Sequence, residues 1–136
     1  MSELKEKAIK AAEKFLVRRG YEVIESNWKS EGGNSLDLVA REDDTVVFVD
    51  VYARHGFDKG MPEEGNEGSR ERREIAAAAW LSEHADDAGY VDMPVRFDSI
   101  AMMLLSENRA LLKHHINCLG CGLTAGLRSM SRLTWE

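Results

Sequence analysis

Residues 45–54 have the sequence TVVFVDVYAR, in which four successive apolar residues occupy positions 46 to 49. A strand that buries only one face alternates apolar and polar residues, so this run predicts a central strand covered on both faces. The preceding stretch, LDLVAR at residues 36–41, predicts a second strand. Only Glu42, Asp43 and Asp44 separate the two stretches, and so tight a connection predicts an antiparallel hairpin.

The rest of the chain surrounds this hairpin with helices and further strands. Apolar residues at helical spacing predict helices over residues 3–19 and 69–88, with Gly20 ending the first and Ser69 capping the second. Three more strands are predicted over residues 21–28, 94–105 and 110–116. This order predicts an α/β fold, a mixed central sheet of about five strands flanked by helices. We assign residues 1–118 to this domain and leave the tail, residues 119–136, unassigned.

Composition and charge narrow the class of protein. The 136 residues are enough for one domain with a core of its own. No apolar run approaches the ~18 residues that cross a bilayer, so no membrane association is expected. Two cysteines cannot build a disulfide framework and the first residues show no signal segment, which predicts a cytoplasmic protein. A net charge of −6 disfavours non-specific coating of nucleic acid but allows a local basic patch.

Two aspartates stand out because they interrupt strands that are otherwise apolar, Asp37 and Asp50. A buried carboxylate is costly unless it is paired, hydrogen-bonded or bound to a metal. The hairpin can bring both side chains to one point of the sheet, where they repel each other unless a positive group joins them. A divalent cation, magnesium or manganese, is one solution. The alternative is that the two acids pair with Arg54 or cap loop amides, since the strand period of two puts Asp50, Tyr52 and Arg54 on one face.

The order of several motifs resembles that of the YraN-like family of uncharacterised bacterial proteins. Three blocks carry the resemblance: RRGYEVIESNW at 18–28, GGNSLDLVAR at 32–41 and TVVFVDVYAR at 45–54. The match continues through GMPEE at 60–64, Arg70 and PVRFD at 94–98, so that it covers residues 8 to 118. The resemblance implies a restriction-endonuclease-like fold, whose catalytic signature is an acid on one strand and Glu-X-Lys on the next.

Individual positions can be carried over from that resemblance. Asp37 matches the first acid, Asp50 stands where the family has Glu, Tyr52 stands where it has Lys, and Arg54 matches a common Arg. The resemblance implies that Asp37, Asp50 and the backbone carbonyl of Val51 would hold a magnesium or manganese ion. It implies a catalytic set of Asp37, Asp50, Tyr52 and Arg54.

Three departures from the family weaken that implied site. Ser35 and Ile9 stand where the family has further acids, and Tyr52 replaces the lysine that would orient water and stabilise negative charge. A tyrosine with a reference pKa of ~10 supplies no charge at neutral pH. We therefore expect the fold to be kept and metal-dependent phosphodiesterase activity to be weak or lost, with a magnesium or manganese cofactor and no cofactor equally compatible with the sequence.

Two further clusters suggest ligands. Arg70, Arg72 and Arg73 open the second helix and are candidates for contacts with nucleic-acid phosphates, the alternative being a solvated helix face. The stretch HHINCLGC, residues 114–121, has the Cys-X-X-Cys spacing of a zinc site. His114 or His115 would join Cys118 and Cys121 there, and two unliganded thiols are the alternative.

These observations leave two classes of function. The first is a nuclease-like protein that associates with nucleic acid and has weak or lost phosphodiesterase activity. The second is a non-catalytic interaction or structural protein, a homodimer assembled through the tail, residues 119–136.

Overall fold

The helices and strands follow one another in the predicted order. The computed structural model describes residues 3–56, 67–86, 89–116 and 131–134, with the backbone alone at 67–70, 91 and 131–134. The elements are α1 (Glu3–Arg18), β1 (Glu22–Lys29), β2 (Ser35–Glu42), β3 (Thr45–His55), α2 (Glu67–Glu83), a short 3-10 helix (Tyr90–Asp92), β4 (Val95–Ser106), β5 (Arg109–His115) and β6 (Ser131–Thr134). No helix in these ranges is long and apolar enough to cross a bilayer.

One mixed sheet contains the strands in the order β1-β2-β3-β4-β5-β6. Every neighbouring pair is antiparallel except β3 and β4, which are parallel because α2 crosses over between them. The predicted α/β fold and the β2–β3 hairpin are confirmed. The sixth strand was not predicted: β6 lies in the tail that the sequence left unassigned, because four residues are too few to show an alternating pattern.

The central strand β3 is buried on both faces, as its apolar run predicts. Positions 46 to 49 are at most 2% exposed. Val47 and Val49 belong to the core layer under α1, whereas Val46 and Phe48 pack in the layer under α2 with Trp80. The two helices therefore cover opposite faces of the sheet.

The ends of the helices follow the sequence signals in part. Gly20 has a φ of +91° and ends α1 as predicted, with the Tyr21 amide donating to the Leu16 carbonyl at 2.9 Å. The second helix begins at Glu67, so Ser69 lies inside its first turn rather than at the cap. An acidic residue is also favoured in a first turn, so the sequence holds two competing start signals. The helix ends at Glu83, five residues earlier than predicted.

Candidate functional site

A pocket of about 350 Å³ lies where the strands β2 and β3 stop pairing. The ladder between them runs from the Glu42–Thr45 pair to the Leu38–Val49 pair. At the next step the Val51 amide donates to Asp37 Oδ2 at 2.8 Å, so that a side chain replaces a backbone carbonyl as acceptor. Aspartate competes with backbone groups in this way because its carboxylate is short and a strong acceptor.

Asp37 is paired with a lysine of the first helix that the sequence analysis did not single out. The Lys5 Nζ donates to Asp37 Oδ2 at 2.8 Å and also to the Val51 carbonyl oxygen. Lys5 comes three, four and seven positions before three buried residues of α1, Ala8, Ile9 and Ala12. A cation at the start of an apolar helical stripe was therefore the signal that could have identified it.

Asp50 is paired with an arginine of the second helix. The guanidinium of Arg73 forms a salt bridge with Asp50 Oδ2, and its Nη2 donates to the Tyr52 hydroxyl oxygen at 2.6 Å. The same hydroxyl donates to Asp50 Oδ2 at 3.4 Å. Only 7% of Arg73 is exposed, so the alternative of a solvated helix face does not describe this residue. A basic residue of α2 thus lies beside Tyr52.

Burial raises the pKa of the Asp50 carboxyl above its ordinary value of 3.8. Arg73 lowers it again in part, and the negative charge of Asp37 adds to the rise. Because the pKa of Asp50 is higher in the folded protein than in the unfolded chain, protonation of Asp50 stabilises the folded state. This stabilisation is complete below pH 3.8 and is lost as the pH rises through the raised pKa. The folded protein therefore binds a proton at Asp50 more tightly than the unfolded chain does.

We expect the substitution Asp50→Asn to expose this pH dependence, because asparagine does not titrate. The free energy of unfolding of the wild type minus that of Asp50→Asn should fall as the pH rises from below 3.8 towards neutrality. Urea unfolding of both proteins at a series of pH values measures this difference. A difference that rises with pH would contradict the raised pKa.

The structure brings together most of the predicted site residues. Asp37, Asp50, Tyr52, Arg72 and Arg73 all line the pocket, and the Val51 carbonyl reaches it through its contact with Lys5. The predicted pairing of the acids with Arg54 is replaced by pairing with Lys5 and Arg73.

Two other predicted residues are placed differently. Arg54 lies further along β3, opposite Met103 of β4, and is not among the described residues that line this pocket. The backbone of Arg70 lies in the first turn of α2, and its side chain is outside the described part of the structure.

The oxygen atoms that a divalent cation would need already have positive partners. Asp37 Oδ2 and the Val51 carbonyl accept hydrogen bonds from Lys5, and Asp50 pairs with Arg73. A divalent cation would have to compete with Lys5 and Arg73 for these oxygen atoms. Across the described ranges, no three or more His, Cys, Asp or Glu residues form a group that could hold a metal. These residues do not fit magnesium or manganese.

Of the proposed zinc residues, only the histidines belong to the described part of the chain. His114 is 1% exposed and its Nε2 lies 3.0 Å from Oδ2 of the fully buried Asp98. Cys118 and Cys121 lie outside the described residues. The zinc site stays a prediction, with one ring nitrogen of its histidine candidate already bound to a carboxylate.

A family model and several individual relatives identify the same protein family. The model of the uncharacterised protein family UPF0102 matches residues 9–102. A UPF0102 protein of Rhodococcus jostii is 38% identical over 104 residues, which cover 76% of this chain and 84% of the relative. One of Roseiflexus castenholzii is 39% identical over 106 residues, 77% of this chain and 82% of the relative. One of Geobacter sulfurreducens is 35% identical over 104 residues, which cover 76% of this chain and 77% of the relative.

The matched region contains most of the pocket. It includes Asp37, Asp50, Tyr52 and Arg73, whereas Lys5 lies just before it. A family model that spans more than half of the chain agrees with the three relatives and with the observed order of helices and strands. The chain belongs to the uncharacterised bacterial family UPF0102, the YraN-like family, whose known fold is restriction-endonuclease-like.

Proposed function

We propose that this protein binds nucleic acid through phosphate groups at the pocket and has lost metal-dependent phosphodiester hydrolysis. The observation that carries this proposal is the set of charges around the pocket. Among the described residues that line the pocket, three cations, Lys5, Arg72 and Arg73, surround two carboxylates, Asp37 and Asp50. This described part of the lining is therefore positive on a protein whose net charge is −6.

The shape of the pocket supports contact with a phosphate. Arg72 lines the pocket and is exposed, so a ligand from solvent can reach its side chain. Gly33 and Asn34 of the β1–β2 turn and Ser35 at the start of β2 also line the pocket. Arginine, asparagine and serine side chains are among the groups that bind nucleic-acid phosphates.

Several features oppose hydrolysis at the same place. Metal-dependent hydrolysis needs a cation that activates water and a positive group that stabilises the charge formed on the phosphate. The candidate metal ligands already bind Lys5 and Arg73, and Tyr52 supplies no charge where the family has lysine. Arg73 is positive but stays protonated, so it cannot act as a base.

The substitution Arg72→Ala tests this proposal directly. Fluorescence anisotropy of labelled single-stranded and double-stranded oligonucleotides, in EDTA, should show binding that weakens steeply with salt. Removing one phosphate contact should lower the affinity for all sequences alike and reduce the salt slope by about 1. Incubation of the same oligonucleotides with manganese should leave them uncleaved.

A matched control is available at the other end of the first helix. Arg18 is exposed and lies 13 residues after Lys5 in α1, about 20 Å along the helix axis at ~1.5 Å per residue. Arg18→Ala removes the same charge from the protein without touching the pocket. Equal effects of the two substitutions would refute binding at the pocket, and manganese-dependent cleavage would refute the loss of hydrolysis.

A further inference from the structure

We infer that the ammonium group of Lys5 is a built-in substitute for a divalent cation in this site. It binds the oxygen atoms that would otherwise attract a metal ion, and it supplies a fixed positive charge without one. This inference does not depend on the proposed nucleic-acid binding, because it concerns only what the oxygen atoms of the pocket bind.

The oxygen atoms around Lys5 are those that hard cations prefer. One is the carboxylate oxygen Asp37 Oδ2, 2.8 Å from Nζ, and the other is the backbone carbonyl oxygen of Val51. They come from neighbouring strands and meet at one point because β2 and β3 stop pairing there. Carboxylate and carbonyl oxygens bind magnesium, manganese and calcium, and they bind an ammonium group equally readily through its three N–H donors.

The backbone of Lys5 belongs to a helix that is packed on the core, and its side chain is 31% exposed. The residues three, four and seven positions later, Ala8, Ile9 and Ala12, are at most 4% exposed in the core under α1. The stem of Lys5 therefore starts from a rigid part of the fold. Its Nζ also lies 5.8 Å from the centre of the Tyr52 ring, a distance at which the ring face attracts a cation.

The second carboxylate is neutralised independently. Asp50 pairs with Arg73, whose side chain is 8% exposed. With both acids paired, a divalent ion would compete with an ammonium group that is already in contact with Asp37 Oδ2 and the Val51 carbonyl oxygen. Replacing Lys5 by glutamate removes this competitor and adds a third carboxylate to the same point.

Calorimetric titration of manganese chloride into the full-length protein tests the inference. We expect no saturable binding to the wild type and saturable binding of about one ion per chain to Lys5→Glu. Because a single partner of a metal site changes affinity by 10–100-fold, Lys5→Glu should bind manganese at least about tenfold more tightly than the wild type. The double variant Lys5→Glu with Asp37→Asn should lose this binding.

Two further variants make the result interpretable. Lys10→Glu makes the same charge change at an exposed position of α1 and should bind no more manganese than the wild type. Lys5→Met removes the ammonium without adding a ligand, and it should also bind manganese more tightly than the wild type. If Lys5→Glu fails to fold by circular dichroism, Lys5→Met alone decides the matter.

Two results would overturn the inference. One is manganese binding to the wild type as tight as to Lys5→Glu, and the other is no gain in any folded variant at position 5. Either result leaves the proposed nucleic-acid binding standing if Arg72→Ala still weakens oligonucleotide binding. Loss of the Arg72 effect alone would remove the proposed function and leave the substitute-cation role of Lys5 intact.

Discussion

Replacing Asp98 by alanine should lower the free energy of unfolding by about 3–5 kcal/mol, the cost of removing one partner from a buried ion pair. Asp98 is fully buried and accepts hydrogen bonds from Arg96 Nε and Nη2, both at 2.9 Å. His114 Nε2 lies 3.0 Å from the same carboxylate. The substitution leaves a guanidinium and an imidazole without their shared anionic partner inside the protein.

The Asp98 cluster also links distant parts of the sheet, which adds to the expected loss. Arg96 Nη1 donates to Glu42 Oε1 at 2.8 Å and Arg96 Nη2 donates to the Tyr21 hydroxyl at 2.7 Å. Tyr21 follows α1, Glu42 ends β2, and Arg96 is the second residue of β4. Freeing Arg96 therefore loosens contacts between three segments that are remote in sequence.

Urea unfolding of Asp98→Ala measures this effect, with Asp44→Ala as the matched control. Asp44 is exposed in the turn between β2 and β3, and an exposed substitution of this kind changes stability by about 0.5 kcal/mol or less. Equal losses in the two variants would show that the Asp98 cluster does not stabilise the fold.

Replacing Arg73 by alanine should cost about 2–3 kcal/mol, because it leaves Asp50 half-buried beside a second carboxylate with its main cation removed. Arg72→Ala, the adjacent residue of the same helix, is the control and should stay within about 0.5 kcal/mol of the wild type. The comparison separates a paired buried arginine from an exposed one of the same type.

The double variant with Asp50→Asn identifies the origin of the loss from Arg73→Ala. If an unpaired carboxylate causes it, asparagine at position 50 should recover part of the stability, with a coupling energy of about 1–2 kcal/mol. Urea unfolding of the two single variants and the double variant gives this coupling. Strictly additive losses would mean that Arg73 stabilises the protein through packing alone.

Much of the fold could be predicted because local patterns determine it. The apolar run at 46–49 predicted a strand buried on both faces, and the short connection after β2 predicted the hairpin. The strand β6 escaped prediction because its pairing with β5 joins segments that no local pattern connects.

The site was only half predictable, for the same reason. Asp37 and Asp50 were found because a carboxylate in an apolar strand is anomalous wherever it occurs. Their partners were not found, since Lys5 is 32 residues from Asp37 and Arg73 lies on a different element from Asp50. Arg54 was favoured instead because the strand period is local information. Both cations have the same sequence context, a stripe of buried residues at helical spacing. After Arg73 these residues are Ala76, Ala77 and Trp80, which follow it by three, four and seven positions.

The interruption between β2 and β3 has a consequence for how the pocket is assembled. Lys5 belongs to the helix on one face of the sheet and Arg73 to the helix on the other, and they meet only because the strands separate at Asp37. Neither core layer contains the pocket by itself. The pocket therefore requires both helices to be docked on the sheet, one on each face.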